Sequence, residues 1–309
     1  MYFLSGEETK WLLKHLIPRV RETGVAEELR GWNWHQPPLD PPYAVKLAVY
    51  EVAGKYCSSA RDLFLRRVAG MTADVGKAAR AGSAYHSAVA QVIQEAKRLI
   101  YAHGPQGIQL IGNELRRFVP RFESRNGAEP DHDIVATAHR LVSFEAGRML
   151  ARIEDVLSRQ PYIAADSLVA SALPITCEHK LDGSFLGMSS LVSCDAASLG
   201  STVIFDTKFG RKRDFHRLSA TGYALVMESL WEFPVDVGCT VYVDTRSEVP
   251  TITRDLYAID DELRQWFIDE RDDKMRIVAE QMDPGLADEC YEYCGFLSEC
   301  RGGMHPAGN

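Results

Sequence analysis

The sequence predicts an α/β (α+β) fold, a mixed sheet with a crossover helix flanked by a large N-terminal helical region. Three observations carry this. The first half shows helical spacing of its apolar residues. From about Leu173 the texture changes to short segments of strand type. The order is strand, strand, strand, helix, strand, strand.

The segments justify this in turn. EETKWLLKHLIPRV and SSARDLFLRRV read as helices, followed by a long helical run over about residues 78–103. In that run Tyr85, Val89, Ile93, Ala96 and Ile100 mark a buried stripe. After a Gly/Pro turn at 104–107, IQLIGNELRRFV forms another helix, and the pattern over 132–158 has the alanines and leucines of a packed one. ITCEHKL, SSLVSCD, STVIFDTK, VGCTVYVDT and ITRDLYAI have the β-branched and aromatic content of strands. RDFHRLSATGYALVMESLW supplies the helix between the third and fourth, and DELRQWFIDERDDKMRIVAEQM the last long helix. The chain divides into a helical region (1–165), a sheet core (166–282) and a cysteine-rich tail (283–309).

With 309 residues, 46% hydrophobic and 25% charged, the composition is that of a soluble globular protein. The N-terminal stretch carries acids and lysines where a secretory signal would be apolar, and no run approaches the roughly 20 apolar residues of a membrane span. A cytoplasmic protein without membrane contact is expected. A net charge of -8 excludes coating nucleic acid by overall attraction but permits a local basic patch. Two clusters qualify: Arg211, Lys212, Arg213 and Arg217, and Arg116, Arg117, Arg121 and Arg125. The first begins three residues past Lys208 and would border a site there.

That site is suggested by VIFDTKFG at 203–210. Strand side chains alternate, so Ile204, Asp206 and Lys208 share one face and Val203, Phe205 and Thr207 the other. Asp206 and Lys208 then stand roughly 6 to 7 Å apart, close enough to serve one metal and the water it activates. The same D-x-K also fits a strand running out into solvent. A divalent cation calls for a second carboxylate. Asp195, eleven residues earlier across a Gly-containing turn, would meet Asp206 in a hairpin. Asp182 is the rival, although D-G is a turn signal.

Seven cysteines fit poorly with complete disulfide pairing. Cys290, Cys294 and Cys300 crowd the tail beside glycines, which suggests metal ligation, by either Zn²⁺ or an iron-sulfur cluster. Cys177, Cys194 and Cys239 lie in strand-like segments as buried apolar residues.

Taken in order, these features resemble the PD-(D/E)xK nucleases of RecB type, and among them the archaeal Csa branch of the iron-sulfur, CRISPR-associated Cas-four exonucleases. The resemblance rests on Cys57, then His86 in GSAYHSAVAQVI, Asp195, the D-T-K of Asp206 and Lys208, Tyr223 on a following helix, and the C-x3-C-x5-C tail. ELRGWNWHQPPLDPPY and PVDVGCTVYV also look like that branch, so it spans nearly the whole chain. One departure is plain: the family usually has Gln four residues before the helix tyrosine, and Ser219 stands there. A hydroxyl is too short to bridge to the same groups.

The resemblance implies a restriction-endonuclease-like core and a DNA nuclease that processes ends for spacer acquisition; the alternative is a non-catalytic DNA-end-binding or scaffold subunit on the same fold. It implies that His86, Asp195, Asp206 and the Thr207 carbonyl bind Mg²⁺ or Mn²⁺, that Lys208 assists the water or the phosphate, and that Tyr223 touches the DNA backbone. It further implies a [4Fe-4S] cluster on Cys57, Cys290, Cys294 and Cys300, phosphate contacts from Arg211, Lys212 and Arg213, and two partners: the CRISPR integrase complex and DNA with single-stranded ends.

Overall fold

A computed structural model describes residues 1–122, 131–198, 200 and 202–302. Arg125, in the second basic cluster, and the last seven residues of the tail lie outside these. Five strands form one sheet: β1 (Thr176–Leu181), β2 (Val192–Ser198), β3 (Val203–Lys208), β4 (Val237–Asp244) and β5 (Thr251–Ala258), lying side by side in chain order. Neighbours are antiparallel except β3 and β4, which are parallel. A parallel pair needs a long crossover.

Among the described residues, eleven α-helices surround the sheet. α1 (Gly6–Trp11) and α2 (Ile17–Thr23) are joined through a π-helical turn, and α3 (Val49–Ala53) and α4 (Arg61–Arg67) flank Cys57. α5 (Lys77–His103), α6 (Ile108–Arg117), α7 (His132–Arg159) and α8 (Ala165–Ala172) complete the helical half. α9 (Arg217–Trp231) is the crossover between β3 and β4, and α10 (Asp261–Ala279) and α11 (Leu297–Gly302) close the chain. Among the described residues no helix is long and apolar enough to cross a membrane.

The alternation read for β3 sets the layers. Val203 and Phe205 pack with Val89 and Ile93 of α5 and Leu141 and Met149 of α7, whereas Ile204 packs with Leu225 of α9 and Phe267 of α10. The sheet is therefore sandwiched between helical layers. All five residues of the expected α5 stripe are buried. Helical half and sheet share both apolar cores, so the site forms only where both layers meet.

α9 is fixed by a buried ion network. Arg264 donates to Glu228 at 2.7 Å and Asp236 at 3.1 Å, and Arg30 donates to Glu228 at 2.9 Å. Removing one member of such a network leaves an uncompensated buried charge and costs about 3–5 kcal/mol.

Two boundaries differ from the sequence reading. β2 begins at Val192 and runs on to Ser198, three residues past Asp195, because Ala196 and Ala197 each bury a small side chain in a core. α4 starts at Arg61, since Ala60 just before it is left-handed (φ 58°) and cannot continue a helix. α3 and α8 are too short to show periodicity.

Candidate active site

The β2–β3 register pairs Ala196 with Phe205, so the next residues along are Asp195 and Asp206. The two acids meet as the hairpin reading requires. Asp195 Oδ2 accepts the Thr207 backbone N–H at 2.9 Å. Asp206 is 3% exposed, and Lys208 Nζ lies 2.9 Å from its Oδ2. From α5, His86 sets its Nδ1 3.2 Å from Asp195 Oδ2 with the ring edge-on to Phe209.

Burial pushes the Asp206 carboxyl up to about 6; Lys208 opposes this and Asp195 adds to it. His86 Nδ1 and Asp206 Oδ2 are buried without an aligned hydrogen bond. A carboxylate oxygen and an imidazole nitrogen are donor types that a divalent cation takes. Among the described residues no three His, Cys, Asp or Glu side chains converge on a common point. Lys208 instead neutralises Asp206.

Ser219 on α9 lies within 3.4 Å of Lys208 Nζ. The short hydroxyl still reaches the lysine, though at the long end of a hydrogen bond. Tyr223 is 9% exposed, packs in the α9 core and feels the charges of both acids, so it lies under them rather than on open surface. Asp182 accepts the Ser184 N–H at 2.9 Å in a tight turn and is exposed. It is the turn residue that its D-G suggested. Arg211, Lys212 and Arg213 are exposed beyond β3, with Lys212 bonded to Asp255 at 3.0 Å.

One residue escaped the sequence reading. Glu178 of β1 lies opposite Asp195 where the β1–β2 pairing is interrupted, and it is left-handed at φ 51°. A non-glycine residue there costs about 1–3 kcal/mol and persists only where its surroundings enforce it. Its Oε2 takes the Ser193 hydroxyl at 2.8 Å, and it lines an open groove with His86, Ser83, Ser87 and Gln94. The signal was an acid within the β-type run ITCEHKL, the kind of interruption that singled out Asp206.

The tail docks on the Cys57 region. Arg61 grips Asp283 at 2.9 Å, Ser59 Oγ donates to the Gly285 carbonyl at 2.9 Å, and Phe296 packs on Leu65. Gly295 passes so close to Asp74 that a Cβ would meet its carbonyl at 2.5 Å. Burial raises the Cys294 thiol, and Cys57 and Cys300 add to the effect, so these three are neighbours. Cys290 is exposed at the rim. Cys194 and Cys239 are buried and Cys177 half-buried, its thiol pushed up to about 12 by burial.

Two carboxylates on neighbouring strands, a lysine and an imidazole gather in a helix-flanked sheet, the residue types that a hydrolytic centre uses. The family is specific: the chain matches the model of "CRISPR-associated exonuclease Csa1" over residues 1–304 and belongs to that family. It is 33% identical over 283 residues to the "CRISPR-associated exonuclease Csa1" of Saccharolobus solfataricus, covering 89% of this chain and 92% of that protein. To the protein of the same name from Thermoproteus tenax it is 29% identical over 293 residues, covering 94% and 98%. No solved structure matches the chain. Membership supports a nuclease role within CRISPR.

Proposed function

We propose that the protein is a metal-dependent DNA nuclease that trims or cuts DNA ends before their integration as spacers. The observation that carries this is the gathering of His86, Asp195, Asp206 and Lys208, with His86 Nδ1 3.2 Å from Asp195 Oδ2 and Lys208 Nζ 2.9 Å from Asp206 Oδ2. His86, Asp195, Asp206, the Thr207 carbonyl and Glu178 would hold Mg²⁺ or Mn²⁺, which when bound supplies Lewis-acid activation of the phosphate and a water of lowered pKa. Asp206, at about 6, is ionised at neutral pH and ready to ligate. Lys208, 2.9 Å from Asp206 Oδ2, would orient the attacking water or neutralise charge growing on the phosphoryl oxygens. Tyr223 packs beneath the acids and borders the strand path.

The partners in this reading are DNA with single-stranded ends and the integrase complex that receives the product. A [4Fe-4S] cluster on Cys57, Cys290, Cys294 and Cys300 staples the tail to the helical half. The docking of that tail beside Cys57 supports it.

End-labelled single- and double-stranded DNA, incubated with and without Mn²⁺, tests the reading. Cleavage that chelator abolishes supports it. Tight end binding with no cleavage at any Mn²⁺ concentration would make the protein a scaffold subunit.

A further inference from the structure

Three tyrosine rings form a contiguous cluster at the edge of the site. Tyr56 meets Tyr291 at a centroid distance of 5.0 Å with the rings tilted by 35°, and Tyr291 meets Tyr293 edge-on at 5.4 Å. Tyr56 is 45% exposed and Tyr293 63% exposed, so ring surface stays open to solvent. The cluster is anchored toward the catalytic side: the Tyr56 hydroxyl lies 3.0 Å from His216 Nε2, and its ring meets Phe215 edge-on at 5.0 Å. Phe215 and His216 follow the exposed Arg211, Lys212 and Arg213 in the chain, with Asp214 between. Among the described residues, Arg211 and Arg213 make no ion pair, so their charge is available to a ligand. Glu292 stands by the Tyr293 hydroxyl and repels phosphate there. The rings therefore suit the flat, uncharged part of an anionic ligand, and the arginines its charged part.

We propose that Tyr56, Tyr291 and Tyr293 form a stacking platform for the unpaired bases of a single-stranded DNA end, with Arg211 and Arg213 holding the adjoining phosphates. Every base has a π-face, so such a platform grips single strands without reading sequence. A duplex, with its bases already stacked, gains nothing from it. The inference rests on the proposed nuclease reading and adds to it how the end is recognised.

Fluorescence anisotropy in chelator, with a labelled oligothymidylate and an abasic strand of equal length, tests it. The wild type should favour the oligothymidylate by roughly tenfold per stacked base. Tyr293→Ala, at the exposed end, should lose most of one such factor, and Tyr293→Trp should keep it. Arg211→Gln combined with Arg213→Gln should weaken both strands equally and flatten the dependence on salt. Equal wild-type affinity for the two strands, or an equal loss on both in Tyr293→Ala, overturns the platform while leaving cleavage, scored separately with Mn²⁺, to stand. Absence of both DNA binding and cleavage overturns the platform and the nuclease reading together.

Discussion

Asp195 Oδ2 accepts the backbone N–H of Thr207 at 2.9 Å while His86 Nδ1 stands 3.2 Å away from the same oxygen. One carboxylate thus ties the second strand to the third and both to the long helix α5. Its partner across the hairpin, Asp206, is held instead by Lys208. The two acids differ in environment: one is braced by the Thr207 N–H, the other buried and neutralised by Lys208.

Asp206→Ala, Lys208→Ala and Asp195→Ala should each lower cleavage by about 10²–10³-fold or more. Asp182→Ala should change it little, because that side chain only caps a turn at Ser184. The check is a single-turnover assay, with circular dichroism to confirm folding. Loss of activity in Asp182→Ala with retention in Asp195→Ala would overturn the hairpin assignment.

The strand order and the acid pair were legible because both rest on local rules. Alternation puts Asp206 and Lys208 on one face, and a hairpin with a short turn brings Asp195 opposite. The α5 stripe was legible because 3.6-residue periodicity persists over 27 residues. Glu178 was not, since its position depends on an interruption in the β1–β2 pairing that no pattern within six residues encodes. The Arg264–Glu228–Asp236–Arg30 network was equally invisible, being built from bonded residues up to 206 apart that look like ordinary surface charges.

Glu178 separates strain from function. Glu178→Gly removes the left-handed penalty and should stabilise the fold by about 1 kcal/mol, seen as a raised urea midpoint, while lowering cleavage. Glu178→Gln keeps an oxygen for the Ser193 hydroxyl and should leave stability unchanged, yet lose at least about tenfold in cleavage if the carboxylate charge assists a cation. Full activity in the Gln variant would remove Glu178 from the site.

Two buried groups give opposing pH dependences. Burial lifts Asp206 to about 6, so its contribution to stability is complete below the unfolded value of 3.8 and is lost as pH rises through 6. Burial, with Lys208 and Arg213 nearby, depresses His216 to about 4, so its contribution is complete above 6.5 and is lost as pH falls through 4. Each amounts to about 3 kcal/mol at most, and over pH 4 to 6 they nearly cancel. In chelator, Asp206→Asn should therefore show stability rising with pH across that window, and His216→Asn stability falling. A falling slope in Asp206→Asn would contradict the His216 environment, and a rising slope in His216→Asn that of Asp206.

The tail carries the last prediction. Cys294 lies with Cys57 and Cys300, while Cys290 stands exposed at the rim. Four thiolates are the number that a cubane cluster or a tetrahedral zinc requires. Anaerobically purified protein should be brown, with about four irons per chain, and Ser at any one of Cys57, Cys290, Cys294 or Cys300 should lose iron and solubility together. Ser at Cys177, Cys194 or Cys239 should keep the iron, because those thiols sit in or beside the sheet. Because Arg61, Ser59 and Asp74 also hold the tail through Asp283, Gly285 and Gly295, a Cys290→Ser protein should remain folded at low temperature, so iron content can still be read. Colourless protein with one zinc per chain would replace the cluster but keep the ligands. Full iron in Cys57→Ser would place the fourth ligand elsewhere.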